Sequence, residues 1–109
     1  MSYSKGDVIL FPYPFTDLKT MNVRPAVVAS SEGDLYEDVF VVPLTSRLGN
    51  LGGGEFILHD WSKAGLNVKS AVKRGCVLVD TALIRQRVGA LSRRDVAELE
   101  DALRQWLDL

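Results

Sequence analysis

Lys5-Gly6-Asp7-Val8-Ile9-Leu10-Phe11-Pro12-Tyr13-Pro14-Phe15-Thr16-Asp17 opens the chain, and Val23-Arg24-Pro25-Ala26-Val27-Val28-Ala29-Ser30 follows shortly after it. Each stretch holds a short run of β-branched or aromatic residues bounded by Gly, Pro or Asp, which is the pattern of a β-strand. The spacing predicts strands over 7–11 and 26–30, and the same punctuation predicts further strands over 38–44 and 55–58. Two more candidates lie at 76–79 and 85–91. The strands follow one another too closely for crossover helices. The sheet is therefore expected to be mainly antiparallel and curled into a small barrel.

One helix is signalled, at the C-terminal end. Ser92-Arg93-Arg94-Asp95 supplies an N-cap serine with an acid at the third helical position, and acids in the first turns suit the helix dipole. Val96, Leu99, Leu103 and Trp106 recur at helical spacing and form one apolar stripe for packing on the barrel, with the acids facing water. Three polar connections, at 12–24, 45–54 and 59–70, exceed the usual median of about 4 to 6 residues. Long loops on a small scaffold are where function tends to sit.

Apolar residues make up 47% of the 109 and charged residues 25%, a balance that excludes a disordered tail and fits one domain spanning 1–109. The net charge of −1 hides an asymmetry: residues 95–109 hold five acids against Arg104 alone, −4, while residues 1–94 hold twelve basic and nine acidic side chains, +3. A mildly basic body thus carries an acidic tail. The single cysteine, Cys76, lies in the run Cys76-Val77-Leu78-Val79; it predicts a buried thiol, no internal disulfide and a reducing compartment. With no signal core and no apolar stretch near the roughly 20 residues of a membrane span, a cytoplasmic protein without membrane contact is expected.

Several chemistries find no support. One His and one Cys cannot build a zinc hydrolase site or a two-histidine acid–base pair. In His59-Asp60-Trp61 adjacent side chains point apart on an extended chain, so His59 reads as a loop histidine and not as a base oriented by Asp60. Gly52-Gly53-Gly54 lacks the Lys and Ser/Thr of a phosphate cradle. No metal and no cofactor is expected.

The two opening stretches, with Gly6-Asp7 heading the first strand, a long loop, and re-entry through Arg24-Pro25, resemble the start of the MazF/PemK toxin family. Val41-Val42-Pro43-Leu44-Thr45-Ser46 resembles that family's strand ending in Thr. Gly65-Leu66, Ser70-Ala71-Val72, Leu83-Ile84 and Val88-Gly89-Ala90-Leu91-Ser92 are similar to the remainder.

The resemblance implies an SH3-like, CcdB/MazF-like antiparallel β-barrel with a C-terminal helix, assembled as a homodimer. It implies an endoribonuclease of a type II toxin–antitoxin system that cleaves single-stranded RNA to a 2′,3′-cyclic phosphate and a 5′-hydroxyl. Its other partner is a cognate antitoxin, and DNA is met only indirectly through that antitoxin. The catalytic pair maps onto Arg24 and Thr45. Physics suits both: in-line attack builds charge on phosphate oxygens, and a planar guanidinium can grip two of them in parallel. Pro25 holds Arg24 extended. Phe15, Thr16, Asp17, Lys19 and Asn22 in the first loop, with Ser46 and Arg47 after Thr45, are candidate RNA contacts through stacking and polar bonds to base edges. Phe15 is an equal candidate for the core.

The chain departs from many members at Leu18-Lys19-Thr20-Met21-Asn22 and Arg74-Gly75-Cys76, so no base preference carries over. A non-catalytic barrel also fits, either an inactive toxin homologue or a gyrase-poison-like binder acting through Trp106, Leu107 and Leu109 at the helix end.

Overall fold

Uninterrupted apolar runs, unlike alternating ones, mark strands covered on both faces. The computed structural model, which describes residues 2–13 and 22–109, shows this for the three central strands, β1 (Asp7–Tyr13), β2 (Asn22–Val28) and β3 (Asp38–Thr45). Val8, Val27 and Val42 lie in one buried cluster with Leu44, Leu58, Val72, Leu91 and Leu99. Their chain neighbours Ile9, Ala26, Val28 and Val41 lie in a second, with Phe11, Val39 and Val79. Successive side chains leave a strand in opposite directions, so each run feeds both clusters.

The remaining elements are β4 (Phe56–Ile57), β5 (Ala71–Val72), β6 (Val77–Asp80), β7 (Gln86–Ala90) and α1 (Arg93–Leu107), with a 3-10 turn at Thr81–Leu83. All described pairings are antiparallel, in the order β4-β5-β3-β2-β1-β7. β6 shares the outer edge of β3, pairing Asp38 to Val41 while β5 pairs Leu44 and Thr45. This is the antiparallel barrel-like sheet with a terminal helix, open between β4 and β7.

The start of α1 is as expected. Ser92 caps it and accepts a hydrogen bond from the Asp95 N–H, and Val96, Leu103 and Trp106 pack on the first cluster, where Leu99 is fully buried. Among the described residues no helix is long and apolar enough to cross a membrane.

Several expectations are corrected. Cys76 is exposed, because inward-facing Val77 and Val79 leave Cys76 and Leu78 on the outer side. Asp95 is fully buried, unlike the acids that face water, because its carboxylate serves the backbone of the third loop. The strand expected over 55–58 shrinks to Phe56–Ile57, since Glu55 turns back to bind Gly52. β5 was not anticipated: two residues are too few to show a period. β1 and β2 also run further into the first loop than expected, to Tyr13 and from Asn22, while β2 stops at Val28, short of the expected Ser30.

Two glycines fix the third loop against β7. Gly65 has φ +90°, and a Cβ there would lie 2.2 Å from the Val88 carbonyl oxygen; a Cβ on Gly89 would lie 2.2 Å from that of Ala64. Only glycine permits so close a backbone approach.

Candidate functional site

β2 and β3 pair in the register Ala26↔Pro43, Val27↔Val42 and Val28↔Val41. Beyond Ala26↔Pro43, Arg24 pairs with Phe11 of β1, and Thr45, the last residue of β3, pairs with Ala71 of β5. Arg24 and Thr45 both line a cleft of about 530 Å³ at that end of the sheet. Its floor is Leu10, Pro25, Leu44 and Val88, and Ser46 and Arg47 extend the Thr45 side. The opposite wall is Gly65, Leu66, Asn67, Val68 and Ser70, from the third loop.

Local structure aims the two polar residues. Arg24 is exposed and sits in a strand paired with Phe11, its backbone held extended by the following proline. Thr45 is half-buried, and its Oγ1 accepts the Arg47 N–H at 3.1 Å, a short turn that fixes χ1 and leaves the hydroxyl proton to be donated. Among the described residues the Arg24 guanidinium has no carboxylate partner, whereas Arg87, Arg94 and Arg104 each pair with an aspartate. Among the described residues the cleft lining contains two arginines and no acid. Such a concave surface attracts an anion.

The third loop is held in place from α1. The Asp95 carboxylate accepts the N–H groups of His59 and Asp60, each at 2.9 Å. Asp60 receives Arg94 through two bonds at 2.9 and 3.1 Å, and Arg94 holds the Asp60 carboxyl well below the usual carboxylate range. His59 bonds Glu98 through Nε2, is absent from the cleft lining, and does not pair with Asp60. The second loop is held from two sides. Glu55 accepts the N–H of Gly52 at 2.6 Å and of Arg74 at 2.8 Å, and Trp106 Nε1 donates to the Gly53 carbonyl at 2.8 Å.

Of the residues singled out in the sequence, Arg24, Thr45, Ser46 and Arg47 share the cleft. Phe15, Thr16, Asp17 and Lys19 lie outside the described residues, and Asn22 is described only as the first residue of β2. Sequence reasoning missed Asn67, Val68 and Ser70, though the length of the 59–70 connection marked their loop. At the helix end, Leu107 and Leu109 are exposed while Trp106 is taken up by Gly53. Among the described residues no three His, Cys, Asp or Glu side chains gather as a metal site.

A family model described as PemK-like, MazF-like toxin of type II toxin–antitoxin system matches residues 4–107. Solved structures of similar fold include a MazE–MazF crystal structure from Deinococcus radiodurans, at 19% identity and TM-score 0.79, with 98% of this chain and 97% of that one covered. A mycobacterial endoribonuclease in complex with its cognate antitoxin is 16% identical at TM-score 0.72, covering 98% and 96%. The toxin MazF-mt6 of Mycobacterium tuberculosis is 18% identical at TM-score 0.68, covering 93% and 97%. At these identities the likeness is one of fold. No curated protein sequence matches the chain.

Proposed function

Because the chain belongs to the PemK-like, MazF-like toxin family of type II toxin–antitoxin systems, we propose that it is an endoribonuclease that cuts single-stranded RNA in the cleft around Arg24 and Thr45. The observation that supports this most is that Arg24 and Thr45, 21 residues apart in sequence, line one cleft that holds no acid among the described residues. In the proposed step the ribose 2′-oxygen attacks the adjacent phosphorus as the bond to the 5′-oxygen breaks. The products are a 2′,3′-cyclic phosphate and a 5′-hydroxyl, so in net terms the 2′ proton ends on the 5′-oxygen. Arg24 grips the non-bridging oxygens through its planar fork, and the Thr45 hydroxyl donates to the same group. Two preorganised donors carry the charge without a metal ion.

Ser46 and Arg47 contact the RNA beside Thr45, and Phe15, Thr16, Asp17, Lys19 and Asn22 contact it from the connection that leads into Arg24. An antitoxin segment occupies the same cleft, setting acids against Arg24 and Arg47 and apolar anchors against Leu66 and Val68. The protein works in the cytoplasm as a symmetric dimer of one toxin domain per chain, and reaches DNA only through the antitoxin. The exposed Leu107 and Leu109 favour a second reading, a barrel that binds a partner through its helix end; it predicts no RNA cleavage.

The test is incubation of purified protein with single-stranded and duplex RNA in excess EDTA. Single strands should be cut to the cyclic-phosphate and 5′-hydroxyl ends, and duplexes should resist because their backbone cannot swing into line. Dependence on added magnesium would contradict the proposal.

A further inference from the structure

Thr45 and Arg47 have a second side. Behind them a separate pocket of about 210 Å³ opens between the second loop and the start of the segment after β5, and it shares these two residues with the main cleft. Its other polar walls are Asn50, Glu55 and Lys73. The volume suits a single planar heterocycle and not a stretch of nucleotide chain. Through Thr45 and Arg47 it adjoins the cleft proposed to hold the phosphate, as a base lies beside its own phosphodiester.

The pocket chemistry is specific. Arg47 and Lys73 can only donate hydrogen bonds, and an ionised Glu55 can only accept them. Glu55 takes one backbone N–H on each oxygen, Gly52 on Oε1 and Arg74 on Oε2, and each oxygen keeps a further lone pair. Those two backbone bonds, Arg74 first, keep the carboxyl below its ordinary range, so it stays an acceptor near neutral pH. The same two bonds fix where it points. Guanine carries two adjacent acceptors, O6 and N7, the commonest targets of Lys and Arg. On its pairing edge it also carries two adjacent N–H donors that match a carboxylate.

Resting on the proposed RNA-cleaving function, we infer that this pocket receives a guanine base next to the cleaved bond, with Lys73 and Arg47 reading its acceptors and Glu55 its donors. Single-stranded RNA is open to this kind of readout because its unstacked bases expose the pairing edge.

The experiment has two arms. In the first, the full-length protein cuts a random-sequence single-stranded RNA pool and the new ends are sequenced. Guanine is expected at one position beside the cut, about tenfold over every other base, which is within the range one good bidentate contact gives. Lys73→Met should bring that ratio close to unity, and Lys63→Met, an equal loss of charge at an exposed site outside both pockets, should leave it unchanged. The second arm measures fluorescence anisotropy with fully 2′-deoxy pentanucleotides, which cannot be cut, carrying G, A, C or T at the central position. The same preference and the same loss in Lys73→Met are expected. If RNA is not cut while the binding preference holds and Lys73→Met abolishes it, the nuclease proposal fails and the pocket stands. Overturning results for the pocket are no guanine preference in either arm, a preference that survives Lys73→Met, or an equal loss in Lys63→Met.

Discussion

Asp95→Ala is expected to be the most damaging single change at the surface between α1 and the third loop. The carboxylate is fully buried and accepts the N–H groups of His59 and Asp60 at 2.9 Å and the Ser92 hydroxyl at 3.3 Å. Hydrogen bonds to a charged group contribute about 1.5–3 kcal/mol each, and a negative charge in the first helical turn adds about 0.3–1 kcal/mol. Truncation leaves two loop N–H groups without their acceptor, so the loss should be about 3–5 kcal/mol, a large share of the roughly 5–15 kcal/mol that holds a domain together. Asp95→Asn keeps the shape and one acceptor and should lose about half as much. Urea denaturation should show the midpoint fall at unchanged slope, and the melting temperature should drop by roughly 4 °C per kcal/mol. The loop also bears Leu66, Asn67, Val68 and Ser70, so KM for RNA should rise in the same variant. An Asp95→Ala loss under about 1 kcal/mol would refute the assignment of this carboxylate as the anchor of the loop.

Gly65→Ala forces a Cβ to 2.2 Å from the Val88 carbonyl oxygen at φ +90° and should destabilise by about 3 kcal/mol or more in a urea titration. Gly49→Ala, with nothing within 4 Å, should stay within about 0.5 kcal/mol. Trp106→Phe keeps the ring packed but loses the donor to Gly53, and should cost about 1 kcal/mol by the same assay. The Asp60 carboxyl is depressed by Arg94, so its contribution is present above the unfolded value of about 4 and fades as pH falls through the folded value. The stability gap between wild type and Arg94→Ala should thus hold from pH 7 to about 5 and close on further acidification, as urea titrations across pH will show.

The central strands and the helix were legible because their signals are local and repeated: runs of β-branched and other apolar residues for β1, β2 and β3, and Ser92 with the Val96, Leu99, Leu103 and Trp106 stripe for α1. Arg24 and Thr45 stood out as candidates through their residue pattern, but that they line one cleft depends on how β1, β2, β3 and β5 pair, which no local signal carries. Asp95 shows the limit clearly. As an N-terminal helix acid it matches a solvated one, and only the fold brings the His59 and Asp60 backbone to it. Cys76 misled because an apolar run of four does not tell which parity faces inward. Asn50 and Glu55 precede β4 and Lys73 follows β5, strands of two residues each, and their pocket exists only once those strands pair.

The most direct test of the central claim is the single-turnover rate of cleavage of one single-stranded RNA by wild type, Arg24→Ala, Arg24→Lys and Thr45→Val, in EDTA, with melting temperatures measured alongside. Arg24→Ala should lose at least about a hundredfold, the scale of one oxyanion donor, Arg24→Lys should recover little of it, and Thr45→Val should also be slow. Arg24 is exposed and Thr45 ends its strand, so all should melt within a few degrees of wild type. An Arg24→Ala protein that cuts RNA at the wild-type rate would contradict the account.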